Sequence, residues 1–165
     1  MFSGEAGAQS ERQAGFDFTV AGAQEQVLIF SGDLSWAQAT QQEKPLLEAF
    51  ELLCQKGIPL KIVANVDLNS RANVTRVLAL NHKYGKELID IRHAQQPLRA
   101  FIVDTALVRF KEKYFLKTIA EENYLFYSIT DQDWVNWLKK VFWHIFSTSI
   151  SAEKRLKDLE TIKDM

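Results

Sequence analysis

Three short apolar runs, separated by two amphipathic stretches, constrain this chain more than any other feature of its sequence. VLIFSG (27–32), PLKIVANV (59–66) and ELIDIRH (87–93) read as strands. Between the first two, PLLEAFELLCQKG (45–57) puts Leu46, Leu47, Phe50, Leu53 and Cys54 on one helical face. Pro45 suits the first turn of that helix and Gly57 its C-terminal cap. SRANVTRVLALNHKYG (70–85) predicts a second helix, with Ser70 as N-cap and Gly85 as its stop. Strand–helix–strand–helix–strand implies right-handed crossovers and a parallel sheet at the centre.

After Pro97 the rhythm changes. LRAFIVD (98–104), ALVRFKEKY (106–114) and NYLFYSI (123–129) predict strands with short links, and therefore antiparallel pairing. A last helix starts at Thr130 or Asp131, and its Trp134, Trp137, Leu138, Val141, Phe142 and Ile145 recur at helical spacing, as a core stripe does. The expected class is an α/β fold with a mixed sheet, parallel in its first half, antiparallel after Pro97, and flanked by helices. FDFTVAGAQEQ (16–26) reads as a short helix and DLSWAQAT (33–40) as a loop. Residues 1–15 read as a flexible leader, 16–150 as one domain and 151–165 as a charged, fraying helical tail.

Composition narrows the function classes. With 165 residues, 47% hydrophobic and 12% aromatic, the chain can bury a sizeable core. No apolar stretch approaches the roughly 18 residues of a membrane span, and the N-terminus lacks the pattern of a signal peptide. The single Cys54 reads as a buried thiol in a cytoplasmic protein. No Cys/His spacing suggests a metal site, and no glycine-rich phosphate loop or Gly-x-Ser-x-Gly elbow occurs, so no cofactor is expected. The net charge of −1 conceals a basic centre: residues 51–117 hold twelve basic and six acidic side chains, against two and seven in residues 1–50. A basic centre suits an anion-binding face.

The stretches IFSGDLSW, KGIPLKIVANV, and DIRH leading into PLRAFIVD resemble the phospholipase D-like fold over roughly residues 16–146. That family carries a His-x-Lys-x4-Asp motif in a context resembling hAKhhhhD, where h is apolar. On PLRAFIVD the motif falls at Pro97, Arg99 and Asp104, so its histidine and lysine are replaced. The resemblance implies a histidine nucleophile that forms a phospho-enzyme intermediate, a lysine that neutralises phosphate charge, and a second histidine as general acid. Proline has no nucleophilic atom and cannot take the first role. Arg99 can still hold an anion. The family's Gly-Ser pair is replaced by Lys111 and Glu112, long side chains where the family admits phosphate.

Ligands of open α/β sheets bind beyond the carboxyl ends of the parallel strands. Those ends carry Ser31, Gly32 and Asp33; then Asp67 and Asn69; then Arg92 and His93. Trp36, in the first of these loops, is placed to stack on a ring or a sugar. The candidate ligand site is therefore Arg99, Asp104, Ser31, Asp33, Trp36, Arg92, His93 and Lys111, for a small anionic or sugar-like ligand. Degenerate domains of this resemblance are similar to the sensor domains of prokaryotic sugar-responsive transcription regulators, which implies regulation and a homodimer. The aromatics Phe115, Tyr124, Phe126, Tyr127, Trp143 and Phe146 are candidates for its interface. One alternative is a phosphodiesterase or nuclease with a rearranged site using His93, Arg99 and Asp104. His82 and His144 fall in helical patterns away from it. Another is a nucleic-acid module using Arg71, Arg76, Lys83, Lys86, Arg109, Lys111 and Lys113 as a basic face. The acidic N-terminal third counts against that reading.

Overall fold

The structure, a computed structural model, describes residues 2–5, 20–41, 44–115 and 122–163. In chain order the strands are β1 (Phe2–Glu5), β2 (Val27–Phe30), β3 (Thr40–Gln41), β4 (Lys44–Pro45), β5 (Leu60–Ala64), β6 (Ile89–His93), β7 (Ala100–Val103), β8 (Leu107–Phe115) and β9 (Glu122–Ile129). The helices are α1 (Leu47–Lys56), α2 (Arg71–Tyr84), α3 (Gln132–Ser147) and α4 (Ala152–Lys163), with a 3-10 turn at Ser35–Gln38.

Seven strands form one mixed sheet in the order β1-β9-β8-β7-β2-β5-β6. β2, β5 and β6 are parallel, and β7, β8, β9 and β1 follow antiparallel. This is the α/β class, with the parallel and antiparallel halves, that the apolar pattern predicts. The central strands are buried on both faces, which is why VLIF and AFIV are unbroken apolar runs rather than alternating ones.

The sheet separates two cores. On one face Val27, Ile29, Leu60, Ile62, Ile89, Ile91 and Phe101 pack under α1 and α2, with Phe50, Leu53, Val74, Val77 and Leu80. On the other face Leu28, Phe30, Val63, Ala100, Ile102, Val108 and Ile129 pack under α3. Phe142 of α3 meets Phe30 edge to face at 5.4 Å and stacks on Phe146 at 5.6 Å. Cys54 is buried in the first core, and burial pushes its thiol pKa up.

Gly57 ends α1 at φ 77°, a left-handed conformation that a Cβ would strain, and the next N–H, of Ile58, donates back to Leu53 O at 2.9 Å.

Several local expectations are corrected. Pro45 lies in the two-residue ladder β3–β4, not in the helix, and Leu46 is the N-cap of α1. Ser35–Gln38 is a 3-10 turn inside the expected loop. Phe2–Glu5 pairs with β9 as an edge strand, where a flexible leader is expected. Of the helix expected at 16–26, residues 16–19 lie outside the described residues, 20–21 are helical and 22–26 are not. In α3 the buried stripe is Val135, Leu138, Phe142 and Phe146, and Trp134 and Trp137 are exposed. The buried and exposed stripes are adjacent on the wheel, so periodicity alone does not say which one meets the sheet.

The C-terminal segment packs rather than frays. After α3 the chain turns around the β6 edge: His93 N–H donates to Ile150 O at 2.9 Å, and Arg92 bridges Ser151. α4 then lies on the opposite face from α3, with Ala152 buried, Arg155 Nε donating to Val66 O at 3.2 Å, and Glu160 paired with Arg71 of α2. Among the described residues no helix is long and apolar enough to cross a membrane.

Candidate functional site

The parallel strands deliver their carboxyl ends to one edge of the sheet, and the loop from β6 to β7 runs across them. That loop is fastened along its length. Ala94 N–H donates to Ala64 O at 2.8 Å, and Gln96 Nε2 donates to Ser31 O at 3.1 Å. Gln96 Oε1 in turn accepts from Leu98 N–H at 2.7 Å. These bonds carry the chain over β5 and β2 and set it down at the start of β7.

Arg99 stands at that landing point and is exposed. Its Nη1 donates to the carbonyls of Gln96 and Leu98, each at 2.9 Å. The guanidinium lies flat over Gly32: a Cβ there would sit 2.6 Å from Nη2 and 2.8 Å from Nε. Glycine at 32 is therefore what lets the guanidinium rest on the β2 backbone. Lys111 is the ladder neighbour of Arg99, its N–H donating to Arg99 O at 2.7 Å, and its side chain is exposed. Two cationic residues are thus cross-strand neighbours at the start of β7, and Asp33 is exposed in the loop after β2. Pro97 is also exposed, two residues before Arg99.

Other predicted residues are placed elsewhere. His93 ends β6, paired in register with Ala64. The order β6-β5-β2-β7 sets three inter-strand steps between His93 and the strand Arg99 enters, roughly 14 Å between strand axes. His93 Nδ1 accepts the Val66 N–H at 3.0 Å, which leaves the ring proton on Nε2. Burial and then the Arg155 charge lower the His93 pKa below 6.5, against an opposing pull from Asp67.

Asp104 is at the far end of the sheet, because β7 runs antiparallel to β2. It has φ 54°, and its carboxylate accepts the N–H groups of Gln24, Glu25 and Gln26, the shortest at 2.7 Å. It fastens the approach to β2 and does not join Arg99. Arg92 points to the α3 face, since strand side chains alternate. Its Nη1 donates to Ser149 O at 3.2 Å, its Nε lies 3.7 Å from Asp90, and its guanidinium covers the Phe146 ring at 4.5 Å. Trp36 is turned inward, its ring 4.5 Å from Phe50 and its Nε1 donating to the buried Ser31 Oγ at 3.2 Å. Asp33 caps its own turn through Ser35 N–H at 3.0 Å.

Sequence reasoning missed Asn73 and Gln96 among the polar residues that hold the edge together, and it read Ser70 as an N-cap, whereas the Ser70 side chain makes no cap hydrogen bond to α2. Asn73, 7% exposed on α2, donates to Asp33 O at 3.0 Å and accepts from Gln38. Ser70 Oγ donates to Asn65 O at 2.8 Å and accepts from Asp67 N–H, so it ties the β5 end to α2. Asn73 carried a legible signal, an amide on the apolar stripe of a helix; Gln96 carried none. Among the described residues no three His, Cys, Asp or Glu side chains converge as metal ligands. An open cleft of about 630 Å³ lies at the other end of the sheet, lined by Lys61, Asn81, His82, Lys86, Asp90 and Glu153.

This strand order, with the crossing loop at the parallel ends, defines a phospholipase D-like fold. Among solved structures the chain is similar to Nuc from Salmonella typhimurium, a phospholipase D family member (TM-score 0.64, 12% identity, covering 92% of this chain and 98% of that one). It is also similar to NucT from Helicobacter pylori (0.62, 11%, 92% and 99%). A third is TrmBL2, an archaeal chromatin protein with a novel mode of DNA binding (0.64, 16%, 91% and 52%), of which the chain spans about half. No protein-family model matches the sequence, and no curated protein matches it.

Proposed function

We propose that this is a phospholipase D-like domain that does not perform phosphodiester chemistry and instead binds a small anionic ligand, in a regulatory role. The observation that carries this reading is the pairing of Arg99 with Lys111 at the strand ends, next to a proline where the resembling family has its nucleophile. Two cations at the strand ends attract a phosphate or carboxylate. Pro97 offers no atom to attack one. Two observations weigh against His93 in that role: it stands three strands away, and its Nδ1 accepts the Val66 N–H.

The nucleic-acid reading draws on the DNA binding of TrmBL2, but the basic set it needs is dispersed here. Arg71 pairs with Glu160, Lys83 with Glu51, and Arg109 is buried beside Ser128.

The test is hydrolysis of bis-p-nitrophenyl phosphate, followed by thermal shift with inorganic phosphate and a hexose phosphate. The expected results are no nitrophenolate above buffer, and a melting temperature that rises with one of the anions in wild type but not in Arg99→Ala. Hydrolysis that disappears in both His93→Ala and Arg99→Ala overturns the reading and makes the protein a phosphodiesterase.

A further inference from the structure

The bonds that hold the C-terminal segment to the sheet meet at His93 and Val66. The His93 backbone N–H donates to Ile150 O at 2.9 Å, just before α4. Its ring lies on the α1–α2 face, in step with Ile89 and Ile91, which is also the face that α4 covers. There Nδ1 accepts the Val66 N–H at 3.0 Å, and Val66 O accepts from Arg155 Nε of α4 at 3.2 Å. Val66 is therefore gripped on its N–H by the imidazole and on its C=O by the helix. Beyond these bonds α4 contributes Ala152 and Leu156 to the first core, and Glu160 pairs with Arg71 where both side chains are half exposed. An exposed pair of that kind holds weakly.

The imidazole makes its bond only when neutral. A proton on Nδ1 removes the accepting lone pair and sets two donors against each other. Two charges act on the ring. Arg155 of α4 opposes a second positive charge, and Asp67 of the turn after β5 favours one. Asp67 is already engaged: Oδ1 accepts the Ser70 N–H at 2.9 Å and Oδ2 accepts from Asn65 Nδ2 at 3.2 Å. Asp90 and Arg92, on the same strand, lie on the other face, and Arg71 of α2 is paired with Glu160. Burial and Arg155 outweigh Asp67, so the His93 pKa lies below 6.5. The grip is complete above about pH 6.5 and is lost as pH falls from there through the folded value.

We propose that His93 and Arg155 form a pH-sensitive latch, in which neutral His93 holds α4 against the sheet edge and protonated His93 releases it. Acid acts twice: it removes the acceptor from Val66, and it places a second cation beside Arg155. Release turns the closed β6 edge into an open one, able to pair with another chain. The sheet stays folded, because the strands, α1 and α2 build nearly all of the first core without α4. The latch does not depend on what the strand-end cations bind.

Hydrogen exchange read by mass spectrometry on the full chain at pH 7.5 and 5.0, corrected for intrinsic rates, tests this. In wild type, protection of the α4 amides is expected to fall at least about fivefold at the lower pH, the size of one net hydrogen bond, while that of β2 and β5 holds. His93→Gln, which keeps an accepting oxygen and does not titrate, is expected to abolish the pH dependence. His93→Ala is expected to leave α4 weakly protected at both pH values, which keeps the test decisive if glutamine does not reach Val66. Arg155→Gln is expected to reduce the pH dependence, because it removes the repelling charge. The proposal is overturned by α4 protection that does not change with pH in wild type. It is equally overturned by the same fall in wild type and His93→Ala, or by β2 losing protection in step with α4.

Discussion

Asp104 illustrates how far a residue's role depends on the end of the strand it occupies. It ends PLRAFIVD, and its motif position suggests chemistry, yet it gathers three backbone N–H groups from Gln24–Gln26 at the opposite end from Arg99. Asp104→Ala is expected to destabilise the fold by about 1–2 kcal/mol, the low side of the range for orphaned donors, because water reaches this loop. Urea unfolding measures it, and an unchanged midpoint would mean that water replaces the carboxylate fully. His93 makes a pH-dependent contribution. Its folded pKa lies below the ordinary 6.5, so the unfolded chain binds the proton more readily. The stability this contributes is present above about pH 6.5 and is lost as pH falls from there through the folded pKa. Denaturant midpoints at pH 7.5 and 5.5 should therefore fall further in wild type than in His93→Ala. Equal falls would show that His93 does not contribute to the pH dependence of stability.

At the scale of elements, α3 is held at its start and along its buried stripe. Its start is fixed by Asp131, whose carboxylate accepts the Asp133 N–H at 3.0 Å and the Trp134 N–H at 3.3 Å. Asp131→Ala is expected to cost about 1 kcal/mol of stability, read from the shift in thermal midpoint. Asp131→Asn, which keeps an accepting oxygen, should cost less. The buried stripe of α3 closes the second core through Phe142 and Phe146. The loop after β6 is an element in its own right: Gln96 and the Arg99 guanidinium fold it back on carbonyls, so the cationic pair is presented by a fastened backbone.

In the molecule as a whole, the sheet's β6 edge is closed twice. Asn81 exchanges two hydrogen bonds with Ile89, its Nδ2 donating at 2.7 Å and its Oδ1 accepting at 2.9 Å, and the 150–151 segment covers the other end of the strand. An edge closed in this way resists pairing with another chain. Amides of β2, β5 and β7, buried on both faces at the centre of the sheet, are expected to exchange hydrogen only on global unfolding. Those of α4, which meets the body through few buried side chains, are expected to exchange by local opening. Native-state hydrogen exchange checks this, and equal protection in α4 and β2 would make the C-terminal helix part of the main cooperative unit.

The sequence by itself determined the element order and the class. Apolar period and glycine stops are local properties, and they place the helices at 47–56, 71–84 and 132–147 to within a few residues. The resemblance of PLRAFIVD located the strand that Arg99 enters and singled out Lys111 at the position of the family's Gly-Ser pair; that Lys111 stands beside Arg99 was decided by the β7–β8 register. What only tertiary structure decided was which end and which face each residue occupies. The antiparallel return of β7 sends Asp104 away from Arg99. Strand alternation turns Arg92 to α3, and the order β6-β5-β2-β7 separates His93 from Arg99. The same holds for Trp134 and Trp137: periodicity puts them on a stripe, but only the contact of α3 with the sheet shows that the neighbouring stripe is buried. Faces and ends are set by packing between distant segments, and a local pattern carries no record of those contacts.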